Sequence, residues 1–297
     1  MSIPKLKYRC MEFNVTKDLR FISEFLSLSF ERLSKEINIP KETLSRICNG
    51  TFNPSNEMLE RIYGYIFENG IHYNEMKVEA YKHNHNVVLF HGSKNGIIGD
   101  ISLEYSREDV DFGVGFYTGD NYNQSLDFIC QAKHGSIYVL DVEYSDLKIL
   151  NLDVSLDWML LIALNRGLLE EYKNTKKYSE LKNIMNQYDV IIAPIADNRM
   201  FTTIEDFISS GVNSAQAMNA LQELSLGKQI VFKTEKAIKN IKILEQLYLT
   251  NAEKRAAVSK RLNRIKETVD YVSSAYRKHI REGLYIDEVF GNERNGL

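Results

Sequence analysis

The spacing of four short apolar runs constrains the fold of this chain more than any other feature. They lie at 87–93 (VVLFHGS), 136–142 (SIYVLDV), 189–193 (DVIIA) and 229–233 (QIVFK). Each is rich in β-branched and aromatic residues, so each reads as a strand. Helical periodicity fits 123–133, 158–172, 203–210 and 214–224. The strands are separated by long, unequal segments rather than by one repeating helical unit, which predicts an α+β fold and not a chain of βαβ units.

Composition supports a packed core. The 297 residues are 44% hydrophobic and 26% charged, enough for one large domain or two to three modest ones. The net charge of -3 gives no global signal for nucleic acid. Cys10, Cys48 and Cys130 are far apart and form no C-x-x-C pair, so neither a disulfide framework nor a cysteine zinc site is expected. No metal site is expected at His83, His85 and His91 either, because no acid or cysteine follows at ligand spacing. The N-terminus lacks an apolar run after its basic residues, and no stretch is long enough to span a bilayer. A cytoplasmic location without a membrane partner is the expectation.

Residues 1–80 read as a helical module. Phe21, Phe25, Leu26 and Phe30 give one apolar stripe, then Leu33 and Ile37, then Leu44 and Ile47 after a turn at Asn38. Asn49-Gly50 is a stop signal, and Ser55 or Asn56 can cap a helix carrying Leu59, Ile62 and Ile66. A hinge near Asn69-Gly70 leads into a polar segment through Asn86. The text LSKEINIPKETLSRICNGTFNPSNEMLERI resembles the helix-turn-helix of the phage-repressor class. That resemblance implies that Lys41, Glu42, Thr43 and Arg46 are exposed on a recognition helix, with Lys35, Thr51 and Asn53 near phosphates. Residues 5–82 hold twelve Lys/Arg against eleven Asp/Glu, a poor balance for phosphate binding. DNA contact, protein contact and simple packing all stay open for this module.

Residues 81–245 carry three notable segments. In LFHGS, His91 leaves a strand end and Gly92 permits close backbone approach. In DFGVGFYT, Gly113 and Gly115 flank Val114 and lead to Phe116-Tyr117. In GKQIVFKT, Gln229 opens a strand. No G-x-S-x-G elbow, no G-x-G-x-x-G after a strand and no phosphate-loop motif occurs, which removes the common hydrolase, dehydrogenase and nucleotide hydrolase readings.

Taken with DVIIAPIADNRMF, these segments resemble the His-Tyr-Glu class of ADP-ribosyltransferases, the poly(ADP-ribose) polymerase-like branch. The chain looks most like a bacterial family named as a domain of unknown function within that superfamily, over about residues 86 to 245. The resemblance implies a split β-sheet core and NAD⁺ as substrate. It implies that His91 bonds the adenosine-side ribose, that the Gly92 backbone grips the nicotinamide carboxamide, and that Ser93 helps hold that end. Gly115 belongs to the same binding set. Tyr117 would pack on the nicotinamide ring. Ser125, eight residues on, would donate to the carboxamide, and Phe128, eleven on, would stack on the other face. Gln229 stands where the class has Glu. It can accept a hydrogen bond from a ribose hydroxyl but lacks the charge, worth several kcal/mol in a dry site. Transfer of single ADP-ribose units is therefore expected rather than polymer. Arg199, in a segment read as a loop, would contact the pyrophosphate or an acceptor, or form an ion pair with Asp197 or Asp206.

Residues 246–297 form the third segment. Val258, Leu262, Ile265, Val269, Val272 and Tyr276 recur at helical spacing, and 251–281 hold nine Lys/Arg against three Asp/Glu. Packing on the core, self-association and guidance of a nucleic acid or acidic protein are its three readings. The expected function is mono-ADP-ribosylation of a macromolecular acceptor, protein or nucleic acid, in a toxin or phage-defence effector, with an antitoxin as a further candidate partner. The alternatives are an NAD⁺- or ADP-ribose-sensing transcriptional regulator and an NAD⁺ glycohydrolase.

Overall fold

The computed structural model describes residues 14–107, 109–223 and 227–291. In chain order its elements are α1 (Val15–Phe25), α2 (Phe30–Ile37), α3 (Lys41–Cys48), α4 (Asn56–Glu68), α5 (Tyr73–Asn84), β1 (Val88–Ser93), β2 (Phe116–Gly119), α6 (Tyr122–Ile129), β3 (Ser136–Val142), β4 (Ile149–Asn151), α7 (Leu156–Asn165), a short 3₁₀ turn (Glu170–Tyr172), α8 (Lys176–Met185), β5 (Val190–Pro194), α9 (Asn198–Ile208), α10 (Ser214–Glu223), β6 (Lys228–Phe232), α11 (Glu235–Ile238), β7 (Ile241–Leu247), α12 (Asn251–Ala275) and α13 (Ile286–Val289). The fold is α+β, and its seven strands are mixed in direction. Among the described residues no helix is long and apolar enough to cross a membrane.

The chain folds as two compact units, each discontinuous in sequence. Segment 1–80 belongs to the first, whereas 81–245 and 246–297 each divide between the two. The first unit holds the described residues of 1–100, 122–142 and 242–261. Its helices α1–α4 close around Leu19, Leu33, Ile39, Leu44, Ile47 and Ile62, all nearly inaccessible. Each such side chain contributes about 1.5–3 kcal/mol by leaving water. Ser29 and Ser55 cap α2 and α4 through their hydroxyl oxygens, which accept from Arg32 N and Met58 N at 3.3 Å. Asn38 ends α2 in the left-handed region (φ 52°), the turn that aims α3 away from α2. Strands β1, β3 and β7 run in that order, β1 antiparallel to β3, with Phe90, Ile137, Val139 and Ile129 in their core.

The second unit holds the described residues of 101–121, 143–241 and 262–297. Its strands run β4-β5-β6-β2, with β4 parallel to β5 and both other pairs antiparallel. The apolar run at 158–163 of α7 is fully buried against Ile191, Val231, Phe112 and Phe207. Trp158 donates its indole N–H to the Pro194 carbonyl at 3.2 Å, tying α7 to the end of β5.

Several expectations change here. The stripe Phe21/Phe25 faces outward (37% and 54% exposed), and α1 buries Val15, Leu19 and Ile22 instead. Phe21 stacks on Phe25 and Tyr73, with ring centroids at 5.5 and 5.1 Å, so the aromatics satisfy one another on the surface. The polar segment before residue 86 contains α5. It escaped notice because polar contacts anchor it: Asn74 donates to Tyr248 O (2.8 Å) and Glu253 Oε1 (2.9 Å), and Lys77 Nζ lies 2.5 Å from Asp18 and 2.6 Å from Glu245. Strand β7, with Lys242, Glu245 and Gln246 between its apolar residues, and helix α8 also escaped notice. Along α12, Leu262 is 51% exposed, so the expected apolar stripe is not buried throughout. Val258 packs in the first unit, and Val272 and Tyr276 pack in the second. The side chains of Ile265 and Val269, like Cys10, lie outside the described residues. Cys48 and Cys130 are buried and free, as small core residues.

Candidate functional site

Nine residues carry the expected chemistry. His91, Gly92, Ser93, Ser125 and Phe128 lie in the first unit, and Gly115, Tyr117, Arg199 and Gln229 in the second.

In the first unit, β1 ends in His91-Gly92-Ser93, paired with Tyr138, Ile137 and Ser136 of β3. The three residues are half-buried, and the His91 ring lies 6.3 Å from that of Tyr138. Gly92 is required sterically. A Cβ there would stand 2.8 Å from the Ser125 carbonyl and 3.1 Å from Ile129 Cγ2. Its backbone therefore touches α6 directly, bringing the strand end close to the helix that carries Ser125 and Phe128. Ser125 is buried, whereas the Phe128 ring is 52% exposed. The Lys94 ammonium lies 5.1 Å from the centroid of that ring, a cation–π contact unforeseen from the sequence. The Tyr138 hydroxyl accepts from Ile97 N at 2.7 Å and so ties down the segment after Ser93. His85 pairs with Asp141 at 3.0 Å.

In the second unit, Gly115 lies against β6, where a Cβ would meet Val231 Cγ1 at 2.6 Å. Gly113 sits at φ +66°, a conformation that favours glycine. Tyr117 follows on β2. Its hydroxyl donates to Gly113 O (2.7 Å) and accepts from Phe112 N (3.1 Å), so the side chain braces its own loop. Burial holds this phenol well above its ordinary pKa. The ring is half-buried and packs against the core of this unit. Lys233 donates to the Phe112 carbonyl in the same loop, and burial pushes its ammonium down to about 8.

Gln229 is the second residue of β6, flanked by Gly119 on β2 and Ala193 on β5. It is buried, and its amide nitrogen donates to Asp111 Oδ2 (2.9 Å) and to the Pro194 carbonyl (3.1 Å). Asp111, also buried, receives Arg166 through Nη2 at 2.7 Å and Nε at 3.3 Å, both on Oδ1. The Arg166 guanidinium in turn lies 4.7 Å from the centre of the Phe201 ring. Sequence reasoning did not single out Asp111 or Arg166. The available signal was an acid directly preceding the Phe-Gly-Val-Gly run, but its partners are 55 and 118 residues away in the chain.

Arg199 lies in the first turn of α9, not in a loop. Asp197 caps that helix by accepting from Arg199 N and Met200 N at 3.0 Å. Its other oxygen holds the guanidinium at 2.9 Å (Nε) and 2.8 Å (Nη2). The ion pair with Asp197 is thus formed. Among the described residues no group of three or more His, Cys, Asp or Glu is placed to hold a metal ion.

No curated protein and no solved structure matches this chain. A family model described as "protein of unknown function (DUF3990)" matches residues 87–243, which contain all nine residues above. That match spans more than half of the sequence, and the chain belongs to the DUF3990 family of proteins of unknown function.

Proposed function

We propose that this protein is a mono-ADP-ribosyltransferase that cleaves NAD⁺ between nicotinamide and ribose and passes the ADP-ribose to a macromolecular acceptor. A toxin or phage-defence effector is the biological role this reading favours. The observation that carries it is the close packing of His91-Gly92-Ser93 on α6. That contact excludes any side chain at position 92 and places the histidine–glycine–serine strand end beside the helix bearing Ser125 and Phe128.

In this reading the bond between nicotinamide nitrogen and ribose C1′ breaks, and its electron pair leaves with neutral nicotinamide. The acceptor forms a bond to C1′ and releases a proton. The protein's contribution is positioning and electrostatics, without a covalent nucleophile. His91 holds the adenosine-side ribose, the Gly92 backbone with Ser93 and Ser125 holds the carboxamide, and Tyr117 and Phe128 supply ring faces. Gln229 accepts a hydrogen bond from the nicotinamide ribose. Arg199, its guanidinium oriented by Asp197, would meet a phosphate oxygen of the dinucleotide.

The test is incubation of labelled NAD⁺ with host lysate, comparing wild type with His91→Ala and Tyr117→Ala. Label on a macromolecule that disappears in both variants is the expected result. Release of nicotinamide without a labelled product points to a glycohydrolase. The N-terminal helices favour a second reading, a regulator that senses the nucleotide, because Lys41, Glu42 and Arg46 are exposed on α3 beyond the Asn38 turn. That reading requires salt-dependent, sequence-selective DNA binding lost in Arg46→Ala, with no turnover.

A further inference from the structure

We propose that Asp111, anchored by Arg166, is a positioning residue that fixes and polarises the amide of Gln229. This deepens the reading above and rests on it.

A glutamine amide can sit in two orientations, with its oxygen and nitrogen exchanged. Here only one is tolerable. The atom assigned as Nε2 faces a carboxylate oxygen at 2.9 Å and a peptide carbonyl at 3.1 Å. Both partners are acceptors, so an oxygen in that place would meet two oxygens at close range. The amide nitrogen must point inward, and both of its hydrogens are used. Oε1 is then the one group on this side chain left to bond a ligand, and among the described residues it carries no hydrogen bond. The neighbours across the sheet, Gly119 and Ala193, are too small to crowd it.

Asp111 is built for this task. Its two oxygens have separate duties, with Oδ1 taking Arg166 and Oδ2 taking Gln229. Arg166 holds the carboxylate by two contacts and fixes its plane. Donation from an amide N–H to a buried carboxylate draws electron density toward the amide oxygen, since linked hydrogen bonds polarise one another. The chain thereby recovers part of the negative character that a glutamate would supply at a developing ribose cation. In this proposal Asp111 acts on the ribose only through Gln229.

The test measures nicotinamide release from NAD⁺ by the full chain in wild type, Asp111→Asn, Asp111→Ala, Gln229→Glu and the double variant Asp111→Asn/Gln229→Glu. Thermal melting of each is recorded alongside. Asp111→Asn keeps the size of the side chain, and it should lower kcat about tenfold with KM nearly unchanged. Asp111→Ala should lower kcat by up to about 100-fold, as expected for loss of orientation at a reacting centre. Gln229→Glu alone sets two carboxylates side by side and should fall below wild type. The double variant restores a donor–acceptor pair between positions 111 and 229 with its polarity reversed, while the Pro194 carbonyl still faces an oxygen, and it should recover part of the activity lost in Gln229→Glu. A purely structural Asp111 would make activity follow melting temperature and would give no such recovery. Two results overturn the proposal: kcat in both Asp111 variants within about twofold of wild type, or a double variant no better than Gln229→Glu. Absence of nicotinamide release in wild type overturns the enzymatic reading and this proposal with it, and it is seen without any variant.

Discussion

Replacing Gly92 by alanine is the sharpest test of the candidate site, because its consequence can be worked from distances. The new methyl carbon would lie 2.8 Å from the Ser125 carbonyl oxygen and 3.1 Å from Ile129 Cγ2. Carbon–oxygen contact is comfortable near roughly 3.4 Å, so β1 and α6 must separate by about half an ångström. The obstacle is helix backbone and cannot swing aside as a long side chain would. Overpacking of this kind costs about 1–3 kcal/mol. The displaced helix carries Ser125 and Phe128, so their placement against His91 shifts by the same amount. A 1 Å error at a reacting centre costs about 100-fold in rate, and half of that predicts a loss near tenfold. Urea denaturation measures the first effect and nicotinamide release the second. Gly64→Ala in α4 is the matched control. A Cβ there meets nothing within 4 Å, and the helix interior should gain about 0.5–1 kcal/mol. If Gly92→Ala melts like wild type, the direct contact between strand end and helix is wrong, and the argument built on it fails.

Removing the Lys77 ammonium by Lys77→Met leaves Asp18 and Glu245 buried without their cation and should cost about 3–5 kcal/mol, read from urea midpoints. An unchanged midpoint would show that these carboxylates do not depend on Lys77. For Lys233, the folded state holds the ammonium down to about 8, against an ordinary 10.5. The unfolded chain therefore binds more protons between those values, and stability should rise as pH increases from about 8 to about 10.5. Lys233→Met should show a smaller rise over that window, and an identical rise in the variant refutes the assignment. Asp197→Ala removes the side-chain cap of α9 and the partner of Arg199, and it should cost about 0.5–2 kcal/mol in thermal or chemical denaturation.

The sequence alone determined the elements whose signal is local. The strands at β1, β3, β5 and β6 were legible because β-branched and aromatic residues concentrate there, and α2 to α4 were legible because their stops and caps sit beside their apolar faces. Gly92 was legible as a place of close approach, although what approaches in this structure is the protein's own helix. The tertiary structure alone decided the rest. It turned Phe21 and Phe25 outward, it bound the polar helix α5 through Asn74 and Lys77, and it joined Asp111, Arg166, Pro194 and Gln229 into one buried network. Periodicity reports which face of a segment avoids water, and it carries no record of which distant polar group completes a buried hydrogen bond. Those partners are set when the chain closes, because a buried donor or acceptor left unsatisfied is costly and only the folded geometry supplies its counterpart.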